Sequence, residues 1–293
     1  MARSVLRDIL RGVRPCQSIF ASKRRSSHCP PLVRGQWRGP KVRAAIRAGD
    51  APASVLAERF VLTPNDPLHN HGTVTDEQAV NLSVLDLPPV ETLSAIHFVH
   101  NHTELEHGVM VKKKVQAARY PSGYSAAVYG MGGLTPRWVD QEREGGPSSP
   151  MYVYRWEAMM EIFARFKEID GDLHEAPMVE YTDPTRGGSV FKTITFFAQM
   201  LRPGEKTLPL RQTDSLLVAP FEGKGYSVID GQRFDWNQFD TPAVPGGSWC
   251  EHHNGSDSDP AYLFVASDEP TLKKLSLYKS WGHTSSGDIV RLL

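Results

Sequence analysis

The sequence predicts an all-β fold in which short antiparallel strands form a sandwich or jelly roll. Glycine and proline are frequent, with 24 and 22 residues among 293, which is typical of a chain with many turns. Apolar runs of strand length recur at short intervals in the C-terminal half. Turn signals, such as Asp230-Gly231, separate these runs.

The predicted elements begin at a strand over 59–62, and alternation of apolar residues predicts a second strand over 79–86. Apolar residues at helical spacing predict a helix over 155–166. Strand-sized runs then follow at 195–201, 215–221, 226–229, 241–244, 247–253 and 262–266. A short helix over 269–277, with Pro270 in its first turn, closes the series.

The formal net charge of zero hides a strong asymmetry. Residues 1–49 contain twelve Lys and Arg and one acidic residue, whereas residues 50–293 contain 21 basic and 32 acidic residues. The Arg-rich head leaves three interpretations open: a mitochondrial targeting segment, a disordered basic arm, or a non-native head created by an altered start or exon. We expect no nucleic-acid binding, because no aromatic interleaving or folded basic motif accompanies the charge.

The cysteines and the hydropathy of the sequence indicate the compartment in which the protein is expected. The three cysteines, Cys16, Cys29 and Cys250, are too far apart for a disulfide framework or a zinc knuckle. A reducing, cytoplasmic location is therefore expected, with the mitochondrion as the alternative. No run approaches 18 consecutive apolar residues, so no membrane span is expected. The motifs predict no site for an organic cofactor.

Two segments of the chain match each other at an offset of 181 residues. The match pairs Pro64 with Pro245, His69 with Cys250, His71 with His252 and, after one added residue, Asp86 with Asp268. In both copies a proline and a leucine-bearing run follow the aspartate. The repeat predicts two related β domains.

Within this repeat, residue spacing resembles the two sequence motifs of cupins. The first cupin motif is Gly-x5-His-x-His-x3/4-Glu-x6-Gly, and the chain has Gly204-x5-Leu210-x-Gln212-x3-Leu216-x6-Gly223. The second is Pro-x-Gly-x2-His-x3-Asn, and the chain has Pro245-x-Gly247-x2-Cys250-x3-Asn254, with Pro64-x-Asp66-x2-His69 in the first copy. Together with Tyr154-Arg155-Trp156, the pair resembles the gentisate, salicylate and 1-hydroxy-2-naphthoate dioxygenases over residues 57–280.

This resemblance implies a cupin double-stranded β-helix, in a bicupin whose first barrel is incomplete. We expect a basic head, a partial N-terminal cupin, a linker and a C-terminal cupin, at residues 1–56, 57–112, 113–150 and 151–293. The first barrel is incomplete because the window 25–35, where a His-x-His should lie, contains His28 alone. A half barrel would expose sheet edges, so a homo-oligomer is expected.

The resemblance also implies a mononuclear Fe(II) held by histidines on neighbouring strands, with open positions for substrate and dioxygen. In the C-terminal cupin the ligand positions are degenerate, since they hold Leu210, Gln212, Leu216 and Cys250. The expected metal ligand is therefore His69 in the first cupin. His71 occupies the position of a catalytic-pocket histidine.

A rival cluster surrounds His100 and His102, which also have His-x-His spacing. It follows the second motif rather than preceding it and lacks the Gly-x5 frame. A polar inter-domain segment and a weak surface metal site both remain open for it.

The function implied by the resemblance is Fe(II)-dependent cleavage of a hydroxylated aromatic acid by dioxygen, as in gentisate 1,2-dioxygenases. The missing ligands leave the enzyme question open. One alternative is a non-catalytic cupin that binds a small aromatic ligand or a partner subunit. Another is a defective product of a gene with an altered 5′ end.

Overall fold

The computed structural model describes part of the chain. Backbone and side chains are described for residues 60–62, 82–95, 152–166, 169–184 and 187–293, and the strand backbone alone for 45–48, 51–53, 59, 70–72, 103–106 and 109–112. The chain divides into two compact units, which are Met1–Arg59 with Asp66–Tyr124, and Phe60–Asn65 with Ser125–Leu293.

Two antiparallel sheets form the second unit. The six-stranded sheet has the order β13-β12-β15-β10-β17-β18, with β10 at Leu210–Gln212, β12 at Lys224–Ile229, β13 at Gln232–Asn237, β15 at Trp249–Asn254, β17 at Ser280–His283 and β18 at Ile289–Arg291. The five-stranded sheet has the order β14-β11-β16-β9-β8, with β8 at Met178–Glu180, β9 at Thr195–Leu201, β11 at Leu216–Glu222, β14 at Ala243–Val244 and β16 at Ala261–Ser267. This two-sheet arrangement is a jelly roll, as the sequence predicts.

The barrel core lies between the two sheets. Buried residues of both sheets share one apolar cluster, including Val218, Leu263 and Val265 from the five-stranded sheet and Ile229 and Trp236 from the other. Successive side chains of a strand point to opposite faces, so alternate residues of β16 face this core. The cavity described below lies inside the same barrel.

The outer face of β16 is covered by a helix and by an N-terminal strand. Helix α2 (Trp156–Arg165) buries Met159 and Phe163, and the Phe163 ring lies 5.5 Å from that of Tyr262. Strand β3 (Arg59–Leu62) pairs with β7 (Tyr152–Arg155). The ring of Phe60 on β3 lies 5.2 Å from that of Phe264. The sequence predicts β3 as the start of the first cupin, but residues 60–65 belong to the second unit.

The described part of the first unit contains short strands and one helix. A three-stranded sheet has the order β2-β1-β4, and β5 and β6 form a hairpin, with β1 at Ala45–Ala48, β2 at Ala51–Ala53, β4 at Asn70–Gly72, β5 at Thr103–Glu106, β6 at Val109–Lys112 and helix α1 at Leu87–Thr92. Strands β1 and β2 fall within residues 1–56, which composition predicts as an unfolded or targeting head. The boundary expected at residue 56 therefore separates paired strands of one sheet.

The internal repeat reappears as two similar helix starts. Helix α3 (Glu269–Lys274) follows Asp268 and helix α1 follows Asp86, and each has proline in its first turn. The strand predicted over 79–86 is wrong within the described residues, because 82–86 form no regular structure. Leu82 and Leu85 are both exposed, so the alternation there does not mark a buried sheet face.

Strands β10 and β13 have no clear signal in the local sequence. Strand β13 buries only Trp236 among its six residues, so it has no apolar run to detect. Strand β10 is three residues long, which is too short for periodicity to be visible. Tertiary pairing, rather than local sequence, defines both strands.

Candidate functional site

The positions of the cupin ligand frame meet around one cavity inside the C-terminal barrel. Leu210, Gln212, Leu216 and Cys250 all line it. Strands β10 and β15 are neighbours, and Leu210 is the register partner of Cys250. His252 lies two residues after Cys250 on β15 and lines the same cavity. The residues at the four ligand positions of the cupin motifs therefore lie around one cavity, although they are distant in sequence.

The chemistry of these side chains does not fit an iron ion. Leu210 and Leu216 have no donor atom, and Gln212 uses its Nε2 to donate a hydrogen bond to the Tyr278 hydroxyl at 2.8 Å. Burial raises the pKa of the Cys250 thiol to about 12, so the thiolate that binds metals is not formed at neutral pH. Among the described residues, no group of three or more His, Cys, Asp or Glu could hold a metal ion.

His252 is a buried neutral imidazole held by a hydrogen-bond chain. The indole N–H of Trp236 donates to Ser227 Oγ at 3.0 Å, and Ser227 Oγ lies 2.8 Å from His252 Nδ1. His252 Nε2 lies 3.8 Å from the sulphur of Cys250. Burial, followed by the nearby His253, lowers the pKa of His252 to about 4. The imidazole therefore carries no charge at neutral pH.

The cavity lining also contains acidic and amide side chains. It includes Glu175, Gln199 and Asp214. Burial raises the pKa of Asp214 to about 6, against the hydrogen bond that its Oδ2 accepts from Ser267 at 2.5 Å. Burial also raises the pKa of Glu175. The motifs do not mark Glu175 or Gln199, whereas Asp214 lies inside the first motif frame, two residues after Gln212.

The cavity is small. Its volume is about 30 Å³, which is room for one or two water molecules. An aromatic acid does not fit within it. The C-terminal cavity therefore has neither the volume for an aromatic ring nor a set of side chains that would hold an iron ion.

The predicted residues of the first cupin are only partly described. His69 lies outside the described residues, as do His100 and His102 of the rival cluster. The backbone of His71 lies in β4, where it is the register partner of Ile46 in β1. No helix among the described residues is long and apolar enough to cross a membrane.

Comparison with known proteins gives a consistent set of relatives. No family model matches the chain. The chain is 28% identical over 272 residues to a 5-aminosalicylate 1,2-dioxygenase of Comamonas sp, covering 90% of this chain and 68% of that protein. It is 30% identical over 246 residues to gentisate 1,2 dioxygenase 1 of Aquipseudomonas alcaligenes, covering 81% of this chain and 66% of that protein. The chain thus spans about two thirds of the length of these relatives.

The fold has solved counterparts as well. The crystal structure of a salicylate 1,2-dioxygenase from Pseudaminobacter salicylatoxidans matches with a TM-score of 0.67 and 20% sequence identity, and the match covers 83% of this chain and 67% of that one. At this identity the likeness concerns the fold alone.

Proposed function

Because the chain belongs to the family of bicupin ring-cleaving dioxygenases, we propose that it acts in the cleavage of a hydroxylated aromatic acid by dioxygen. The carrying observation is the length of the sequence match, which extends over 90% of the chain and therefore includes parts of both units. Gentisate and salicylate are the first substrates to test, since relatives are named for them.

The proposed iron site belongs to the first cupin. The C-terminal barrel does not fit the ion, because two of its four ligand positions are leucines and its cavity has a volume of only about 30 Å³. In the first cupin, His69 occupies a ligand position and His71 a pocket position of the motif. Imidazole nitrogen suits Fe(II), which would supply the open coordination positions where substrate oxygens and dioxygen meet.

The two cupins are proposed to have different roles, with the metal site in the first cupin and a structural role for the second. His69 would hold the metal, and His71, two residues on, would hold or move a proton of the bound acid. The C-terminal barrel would act as a rigid scaffold. A homo-oligomer remains part of the proposal, supported by edge strand β18, which exposes Ile289 and Val290.

A second candidate is a non-catalytic cupin that binds a small aromatic ligand or a partner subunit. It is favoured by one observation, that two of the four ligand positions in the C-terminal cupin are leucines. Since the C-terminal cavity is too small for an aromatic ring, such a ligand would bind elsewhere on the protein.

Metal content tests the first proposal directly. The full-length protein is reconstituted with Fe(II) under anaerobic conditions, desalted and analysed for iron, and oxygen uptake is then followed with gentisate and with salicylate. We expect about one iron per chain and substrate-dependent oxygen uptake, both lost in His69→Ala. His71→Ala should retain iron and lose most of the oxygen uptake.

His102→Ala is the matched control, because it removes a histidine of the rival His-x-His pair. Loss of iron in His102→Ala, with retention in His69→Ala, would move the site to the rival cluster. A folded protein without iron, whose melting temperature rises with gentisate but which consumes no oxygen, would establish the binding module instead.

A further inference from the structure

Two buried oxygen atoms in the C-terminal cavity have no hydrogen-bond donor. They are Gln199 Oε1 and Asp214 Oδ1. The two residues are 1% and 2% exposed, and both line the cavity. Buried polar atoms are nearly always paired, because an unpaired one loses its hydrogen bonds to water without a replacement. Two such atoms around one cavity indicate a binding site for a small ligand.

The orientation of Gln199 is fixed by its neighbour. Its Nε2 donates a hydrogen bond to the backbone carbonyl oxygen of Glu175 at 2.7 Å. Flipping the amide would set two oxygen atoms against each other, so the unpaired atom is an acceptor. Asp214 is similar, since Oδ2 accepts from Ser267 and leaves Oδ1 unpaired. A ligand at this site must offer hydrogen atoms or positive charge to both oxygens.

The charge around the cavity distinguishes a cation from a neutral donor. Asp214 and Glu175 both line it, while no lysine or arginine among the described residues does. His252 is neutral, and His174 is engaged with the carbonyl oxygen of His283 at 3.0 Å. A water molecule would satisfy the hydrogen bonds but leave a buried carboxylate without a counter-ion, which is costly in a low-dielectric interior.

We propose that the C-terminal barrel binds one compact monovalent cation, ammonium or potassium, between Gln199 Oε1, Asp214 Oδ1 and the carboxylate of Glu175. Amide and carboxylate oxygens suit such an ion, and the cavity of about 30 Å³ admits it without a hydration shell. Alkylated ammonium ions are excluded by their size. The site is separate from the proposed iron site and does not depend on it.

Thermal melting at constant ionic strength tests the site. The full-length protein is melted at neutral pH in tetramethylammonium chloride, which is then replaced stepwise by KCl, NH4Cl or NaCl. Saturating K⁺ or NH4⁺ is expected to raise the melting temperature by roughly 2–4 °C, while tetramethylammonium has no effect. No cation dependence in the wild-type protein would overturn the proposal.

Asp214→Asn keeps the shape of the side chain and removes its charge, so the cation dependence should disappear. Asp235→Asn is the matched control, because Asp235 lies on β13 and pairs with Arg233 outside the cavity. Equal cation dependence in Asp214→Asn and the wild type would also overturn the proposal. If Asp214→Asn fails to fold, Gln199→Met removes the other acceptor and should weaken the dependence.

A direct measurement separates ammonium from potassium. Nitrogen-15 ammonium sequestered in a protein gives a ¹H–¹⁵N signal distinct from that of the bulk ion. We expect such a signal in the wild type, its displacement by KCl if both ions share the site, and its absence in Asp214→Asn. A signal that persists in Asp214→Asn would place the ion elsewhere and contradict the assignment.

Discussion

The turns and the interior of the C-terminal barrel differ in how much of the cupin motifs they retain. The motif glycines Gly204, Gly223 and Gly247 all stand in turns with positive φ, at +67°, +91° and +86°. Asn254, the last residue of the second motif, donates its amide to three backbone carbonyl oxygens at 2.8–3.1 Å. The motif positions that shape the backbone are therefore occupied as the fold requires.

The interior positions follow a different rule. Where the motif has metal ligands, this barrel has Leu210, Gln212, Leu216 and Cys250, and the two leucines have no donor atom. The motif residues that form the turns are therefore physically separable from the metal ligands, because the turns specify the barrel without any contribution from the metal. A barrel of this kind can lose its ion and remain folded through its apolar core.

The strongest test of this separation is to restore the ligands. If the frame still sets the geometry, the combined variant Leu210→His, Gln212→His, Leu216→Glu and Cys250→His should bind about one additional Co(II) per chain. The side chains already converge on one cavity. Metal analysis and the visible spectrum of Co(II) measure the gain over the wild type.

The variant without Cys250→His is the matched control and should bind the ion much more weakly. A cooperatively melting variant with no extra metal would mean that the frame has drifted from ligand geometry. In that case the motif spacing would be retained in the sequence without the side-chain geometry that binds a metal.

The second test acts on the frame alone. Gly223→Ala forces a side chain onto a residue with φ +91° and puts its Cβ 2.7 Å from the Cβ of Ala261. We expect a loss of about 3–5 kcal/mol in the free energy of unfolding, from the left-handed backbone and the steric overlap together. Urea denaturation measures it.

Gly231→Ala separates the two causes. Gly231 has φ +78° in the β12–β13 turn, but nothing lies within 4 Å of the position that an added Cβ would take, so the backbone cost alone remains. A loss of about 1–2 kcal/mol is expected there. Equal losses in the two variants would contradict a steric role for the turn at Gly223.

The same contrast explains which features of the barrel could be predicted from the sequence. The spacing from Gly204 to Gly223 predicted which side chains would surround one cavity, because turns and strand pairing convert spacing into position. It could not reveal Gln199 or Glu175, which come from elements with no motif. Nor could it reveal β13, whose residues are mostly exposed. Which residues of distant strands meet around a cavity depends on tertiary structure. Among these acidic and amide residues, only Asp214 had a sequence signal, because it lies between Gly204 and Gly223 of the first motif.

A third test concerns the interior histidine, His252. His252 has a pKa of about 4 in the folded protein against 6.5 for the free side chain, so between these values the unfolded chain binds more protons. Stability therefore rises with pH across this window and is lost as the pH falls from 6.5 towards 4. The contribution is on the order of 3 kcal/mol. The raised pKa of Asp214 contributes a slope of opposite sign below pH 6, so the difference between variants is the test. Urea denaturation at several pH values should show that stability gains less between pH 4 and 6.5 in His252→Gln than in the wild type.

His283→Gln is the control, since His283 is half-buried and lies against Trp249 rather than in the cavity. If His252→Gln and the wild type had the same slope, His252 would have to be protonated normally in the folded barrel. The hydrogen-bond chain from Trp236 through Ser227 would then have to tolerate an imidazolium, and the interior would be wetter than its packing implies.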